Sequence, residues 1–291
     1  MSSTWFITGA SRGLGTALAR ELLAAGHSVV ATGRNLEQLR QALGPDGAHL
    51  LSVELDVADV GQARAAVALA VERFGAIDVL VNNAGYGQMG FFEETGAAEQ
   101  RAQFDTNVFG MFNVTQAVLP GMRAARRGRI FNLSSLGGLL GAELASLYCA
   151  SKFAVEGFSE SLAKEVARFG IFVTLIEPGP FRTEFLSADS MRFGPGTLED
   201  YRERRAELVA SFEARNGRQP GDPARLARAM LALAGEAQPP LRFLAGAIAV
   251  QAAEDKLAAM RAEIERWRAL SLGTDGDYDS SSVGGLLEQL K

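Results

Sequence analysis

The chain has 291 residues, 47% hydrophobic and 22% charged, enough for one large α/β domain or two small ones with a full core. Its formal net charge of −5 argues against a nucleic-acid backbone as partner. The single cysteine, Cys149, excludes an intramolecular disulfide and a cysteine metal site, and the two histidines lack the partners of any other metal site.

Residues 4–8 form a short apolar run that reads as a buried parallel strand and not as a secretory signal. A glycine turn follows, with Gly9, Gly13 and Gly15 framing Ser11, Arg12 and Leu14, and then helical periodicity to Ala25. Strand, glycine turn and helix in that order suit a nucleotide pyrophosphate. The missing side chains let backbone approach the phosphates, and a helix N-terminus supplies unpaired N–H groups. Residues 28–32 are the second strand, whose end meets the ribose 2′ position in a dinucleotide fold. Arg34 stands there, with Arg12 in the first turn and no carboxylate, which favours NADP(H) and leaves NAD(H) as the alternative.

Beyond it the pattern alternates. A helix is expected over 36–43, a strand over 50–55 ending at Asp56 and Val57, a helix over 59–74 and a strand over 77–81 ending at Asn82, Asn83, Ala84 and Gly85. Helical spacing continues over 98–122, then a strand over 128–133, the Tyr148 helix, and a strand over 171–176 before Pro178 and Gly179. The expected fold is α/β: a single doubly wound parallel sheet of about seven strands, helices on both faces, ligands beyond the carboxyl ends of the strands. Residues 185–221 interrupt the pattern and read as a substrate lid. A helix over 222–233, a strand over 241–244 and an amphipathic helix over 249–270 complete a single domain of residues 1–272, with a mobile tail over 273–291. No run of about 18 apolar residues offers a membrane span, and the cytoplasm is the expected location.

Tyr148 and Lys152 lie four apart on one helical face, and Ser135 and Asn107 precede them. With these residues in place, the sequence resembles the short-chain dehydrogenase/reductase family over residues 4–186. The likeness is carried by the turn Thr8 to Gly15, Asp56, Asn82 to Gly85, Asn107, Ser135, Tyr148, Lys152, Pro178–Gly179 and Thr183. It implies interconversion of a ketone or aldehyde with an alcohol by hydride transfer. Asn107, Ser135, Tyr148 and Lys152 are the implied catalytic positions, Asp56 lies on the adenine side, and Thr183 meets the nicotinamide carboxamide. It also implies a homodimer or homotetramer paired through the helices at 98–122 and 148–168.

In this reading Tyr148 exchanges a proton with the substrate oxygen, Ser135 bonds that oxygen, and Asn107 positions a water behind Lys152. A free tyrosine titrates near ~10, and lowering it by about 3 units takes about 4 kcal/mol. One charge about 4 Å away supplies about 4 kcal/mol at an effective dielectric of about 20, so Lys152 is expected to lower the Tyr148 pKa. Phe91, Phe92, Leu140, Phe181, Phe185, Met191 and Phe193 are candidates for an apolar pocket, the first three reading more readily as core. The substrate expected is a hydrophobic carbonyl compound. Rival readings are an NAD-dependent alcohol dehydrogenase, a dehydratase or epimerase, and a non-catalytic nucleotide-binding regulator.

Overall fold

The structure is a computed structural model that describes residues 2–187, 190–276 and 285. Most of the tail expected over 273–291 lies outside the described residues. The chain divides into two compact units, Met1–Val250 and Gln251–Lys291.

Nine strands are present among the described residues: β1 (Thr4–Ile7), β2 (Ser28–Gly33), β3 (Leu50–Glu54), β4 (Val79–Asn82), β5 (Gly87–Met89), β6 (Gly128–Leu133), β7 (Ile171–Pro178), β8 (Met191–Phe193) and β9 (Arg242–Ala245). The helices are α1 (Gly13–Ala24), α2 (Leu36–Leu43), α3 (Val60–Phe74), α4 (Ala97–Phe104), α5 (Gly110–Ala125), α6 (Ser146–Val166), α7 (Arg202–Arg215), α8 (Pro223–Gly235) and α9 (Ala247–Leu272). Seven strands form one sheet in the order β3-β2-β1-β4-β6-β7-β9, every pair parallel. The order reverses between β1 and β4, and the carboxyl ends of those two strands open the crevice where such folds take ligands.

Strand alternation builds the two faces. Trp5, Ile7, Val29, Ala31, Val79 and Val81 pack with Leu18 and Leu22 of α1 and Leu226 and Met230 of α8. Their neighbours Phe6, Val30 and Leu80 face the opposite way, onto Ala63 and Ala66 of α3, Val114 and Val118 of α5, and Leu162 of α6. The sheet is therefore buried on both sides, which is why its strands read as apolar runs.

Two features depart from the expected pattern. The continuous helix over 98–122 is two helices joined by a π-helical turn, Asp105–Phe109, which carries Asn107. A second, two-stranded sheet pairs β5 with β8 in parallel, Gly87 opposite Met191 and Met89 opposite Phe193. It stitches the lid to the chain just after Gly85. In the second unit, α9 leaves Leu257, Met260, Ile264 and Trp267 exposed.

Candidate active site

The glycine turn is held to the end of β4 by side-chain bonds. Asn83 Nδ2 donates to Thr8 O at 2.8 Å and Gly9 O at 2.9 Å, and Thr8 Oγ1 accepts from the amides of Asn83 and Ala84, both at 2.9 Å. Gly9 is left-handed (φ 65°), and a Cβ there would lie 2.9 Å from Ala84 Cα. A Cβ on Gly15 would lie 2.5 Å from Gly9 O. Only glycine allows this closeness, and the consequence is that the first amides of α1 open onto the crevice. An anion already answers them: the Glu184 carboxylate accepts from Gly13 N at 3.2 Å. A carboxylate seated on a helix N-terminus is the behaviour expected of a phosphate-binding turn, so the residues fit the pyrophosphate of a dinucleotide.

The other predicted positions gather along the same edge. Arg34 is exposed just past β2, Asp56 and Val57 follow β3, and Pro178 is the last paired residue of β7, with Gly179 after it. A side chain added to Gly13 would meet Thr183 at 3.6 Å, so Thr183 lies across the mouth of the turn, as Ser11 and Leu14 lie within it. Asn82 belongs to the core network instead, donating to Thr115 Oγ1 and Asn132 Oδ1, both at 2.9 Å.

Tyr148 and Lys152 sit on the first turns of α6. Lys152 is buried and its Nζ donates to Leu133 O at 2.7 Å, while lying 5.8 Å from the centre of the Tyr148 ring. Ser135 caps a 3₁₀ turn, Leu136–Gly138, by accepting from Gly137 N at 3.1 Å, and its hydroxyl bonds the Tyr148 phenol. Asn107 Oδ1 accepts from Tyr86 N at 3.1 Å, and its Nδ2 donates to Tyr86 O at 3.0 Å and Ser151 Oγ at 3.1 Å. It ties the segment after Gly85 to α6 and keeps one lone pair of Oδ1 for a further donor. All four residues expected to act together are thus brought to one end of one crevice.

The electrostatics correct one expectation. Burial pushes Tyr148 up to about 12, opposed by the Ser135 bond. Lys152 offsets this without reversing it: its ammonium lies 5.8 Å from the ring centre and gives one of its three hydrogens to a backbone carbonyl. Burial also lowers Lys152 to about 8, against the pull of Glu156, so it remains cationic at neutral pH. The phenol is therefore a proton donor in this state.

The apolar candidates separate. Phe185 lies 5.7 Å from the Tyr148 ring, centre to centre. Met191 packs with Met89, Leu144, Ala145 and Cys149, and Phe91, Leu186 and three residues of α7 (Leu208, Val209, Phe212) lie against them. Phe181 packs against the core on the α1 and α8 face, Leu140 is half-buried, and Phe193 lies 6.4 Å from Phe212, ring centre to ring centre and tilted, at the surface. Phe92, expected in the core, is 60% exposed. The 3₁₀ turn Phe92–Glu94 rotates it outward and buries Glu94 instead, which pairs with Arg205 of α7 at 2.5 Å.

A family model described as short chain dehydrogenase matches residues 3–191. The chain belongs to the short-chain dehydrogenase family. Oxidoreductase BOA17 of Botryotinia fuckeliana is 42% identical, over 94% of this chain and 100% of that protein. A 3-ketodihydrosphingosine reductase of Bacteroides thetaiotaomicron is 39% identical over 82% and 86%, and human retinol dehydrogenase 8 is 39% identical over 82% and 80%. Among solved structures, a short-chain dehydrogenase from Streptomyces avermitilis superposes with a TM-score of 0.85 at 39% identity, covering 95% of this chain and 100% of that one. A gluconate 5-dehydrogenase from Burkholderia cenocepacia, in complex with NADP and tartrate, gives 0.68 at 30% identity over 83% and 92%. ElxO with NADP bound gives 0.67 at 28% identity over 82% and 94%. This short-chain dehydrogenase is an oxidoreductase that acts between CH–OH and C=O with a nicotinamide cofactor. Among the described residues no helix is long and apolar enough to cross a membrane.

Three contributors to the site escaped the sequence reading. Glu184 lies between Thr183 and the lid expected over 185–221, and belongs to no motif. Glu94 and Arg205 are 111 residues apart, and neither carries a local signal.

Proposed function

We propose that this chain is an NADP(H)-preferring reductase of apolar ketones and aldehydes with Tyr148 as the proton donor. The observation that carries the reading is the half-buried Tyr148 phenol, bonded to Ser135 and set with its ring centre 5.8 Å from the Lys152 ammonium. A reduced nicotinamide supplies hydride when bound. Tyr148 gives its proton to the carbonyl oxygen, and Ser135 Oγ, which accepts from Gly137 N, keeps its own hydrogen to donate to that oxygen. Lys152 places a positive charge near the phenolate that remains. Asn107 holds the segment after Gly85 and offers its free lone pair to a water behind Lys152. Gly9 to Gly15, with Ser11, Arg12 and Leu14, line the pyrophosphate; Asn83, Ala84, Gly85, Asp56, Val57, Pro178, Gly179 and Thr183 border the rest of the dinucleotide.

Preference for the 2′-phosphate rests on the exposed Arg34 and the absence of a carboxylate at the end of β2, and two similar structures carry NADP. An apolar substrate is supported by Phe185 beside Tyr148, by the methionine-rich cluster under α7, and by relatives named for 3-ketodihydrosphingosine and retinol. Pairing with a second copy through α5 and α6 is supported by Phe109 and Phe153, both about half exposed, and light scattering reads it directly.

The test is to follow NADPH oxidation with benzil and decanal in the wild type and in Tyr148→Phe, and to measure NADPH binding separately. Retained binding with turnover lost by at least about 100-fold is expected for loss of a general acid. Wild-type turnover in the variant removes Tyr148 from the mechanism. A wild-type preference for NADH, or no change in the preference in Arg34→Ala, removes the 2′-phosphate argument.

A further inference from the structure

Tyr148, Lys152, Glu156 and Glu160 recur every four residues along α6 and share one face of that helix. The chemistry above uses only the first two. Glu156 is 5% exposed, and its carboxylate lies where four segments meet. Arg242 of β9 bonds Glu156 Oε2, Glu160 Oε1 and, at 2.5 Å, Glu177 Oε1. Glu177 is fully buried and immediately precedes Pro178. Gly138, in the turn that Ser135 caps, approaches so closely that a Cβ there would lie 2.8 Å from Glu156 Oε1 and 2.5 Å from Ser134 Oγ. The groups facing Glu156 are thus Glu160 from α6, Glu177 from β7, Arg242 from β9 and Ser134 just past β6, with Lys152 one helical turn back on the same face of α6.

Three carboxylates share one guanidinium in this place, and Glu177 Oε2 has no partner. Burial raises the Glu156 carboxyl above the ordinary carboxylate range; Ser134 opposes the rise, Glu177 adds to it and Arg242 opposes it. A stabilising role alone explains this arrangement poorly, because burying charges costs several kcal/mol per ion before pairing (about that order). Its position explains more. The cluster joins the Ser135 turn, the Tyr148 helix and the strand leading into Pro178–Gly179.

We propose that Glu156 is a positioning residue that acts through Lys152: with Arg242 it fixes α6 against the end of β7 and the Ser135 turn, and it supplies the negative charge that faces the Lys152 ammonium. This rests on the reading of Tyr148 and Lys152 as the proton-transfer pair. Glu156→Gln keeps the shape and removes the charge, so Lys152 loses its proton at a lower pH.

The test uses the full chain with two readouts. The first is the pH profile of benzil reduction by NADPH, with kcat and KM separated. The second is the pH dependence of urea unfolding without cofactor, which does not depend on turnover. In Glu156→Gln the alkaline limb of kcat and the Lys152-linked rise in stability are both expected about half to one pH unit lower, a change of about three- to tenfold in the proton equilibrium. KM is expected to stay within about twofold. Arg242→Lys is expected to restore more of kcat than Arg242→Ala. Loss of stability with both pH dependences at their wild-type positions makes Glu156 merely structural and overturns the proposal. Tyr148→Phe separates the two levels: if it turns over like the wild type, the proton-transfer reading itself falls. If it is inactive while Glu156→Gln leaves both pH dependences unmoved, only the role of Glu156 falls.

Discussion

Replacing Gly15 by alanine tests whether the glycine turn works by closeness. The added Cβ would lie 2.5 Å from Gly9 O, 2.7 Å from Asn83 Nδ2 and 3.0 Å from Ala10 Cα. None of these atoms is the free end of a flexible chain. Gly9 O accepts from Asn83 Nδ2 at 2.9 Å, and Asn83 is pinned in turn by Thr8. The methyl therefore has to push the turn away from β4 or break that bond. Overpacking costs about 1–3 kcal/mol, and a lost hydrogen bond adds about 1 kcal/mol. If about 1.4–2.8 kcal/mol of this falls on cofactor binding, the Kd for NADPH rises about 10- to 100-fold. Fluorescence titration of NADPH measures the Kd and thermal melting measures the stability. Gly157→Ala is the control: it lies inside α6 with nothing within 4 Å of its Cβ. It is expected to leave Kd unchanged and to add about 0.5–1 kcal/mol of stability. A Gly15→Ala chain with Kd within twofold of wild type and an unchanged melting temperature would refute the close-approach argument.

Three further outcomes are expected. Lys152 titrates at about 8 when folded against 10.5 ordinarily, so between those values the folded chain binds fewer protons than the unfolded one and stability rises with pH. Subtracting the urea-unfolding curve of Lys152→Met from that of the wild type isolates this rise, at most about 3 kcal/mol; a flat difference over that window contradicts the burial of a charged ammonium. Arg205→Ala strands the Glu94 carboxylate, whose side chain is 1% exposed, and is expected to cost about 3–5 kcal/mol, whereas Glu94→Leu with Arg205→Met comes close to neutral. Chemical denaturation of the three chains decides it. Glu184→Ala frees the Gly13 amide of a competing carboxylate and is expected to tighten NADPH binding about two- to fivefold, from a helix-terminus interaction of about 0.3–1 kcal/mol. Weaker binding in that variant would mean that Glu184 helps to hold the cofactor.

The legible parts of the chain were those whose signal is local. Apolar runs such as Val29 to Ala31 and Val79 to Val81 are buried on both faces, and a strand buried on both faces has to be apolar throughout. Glycines 9, 13 and 15 announce a turn that no side chain fits, and Tyr148 and Lys152 announce themselves by helical spacing. The π turn at Asn107 was not legible, because its residues suit an ordinary helix. Only the bonds from Asn107 to Tyr86 and Ser151 reveal why the backbone widens there. Phe92 reads as core yet faces outward, because hydrophobicity alone does not register that Glu94, two residues on, has Arg205 to pair with inside.

By itself, then, the sequence determined the parallel α/β architecture, the glycine turn and the set of chemical groups, because periodicity and residue type act over a few neighbouring positions. The tertiary structure decided how those groups behave. It set Tyr148 as a half-buried acid, Lys152 as an ammonium tied to Leu133, and Glu156 and Arg242 as neighbours 86 residues apart. Desolvation and pairing depend on what surrounds a group in space, and those surroundings come from segments distant along the chain.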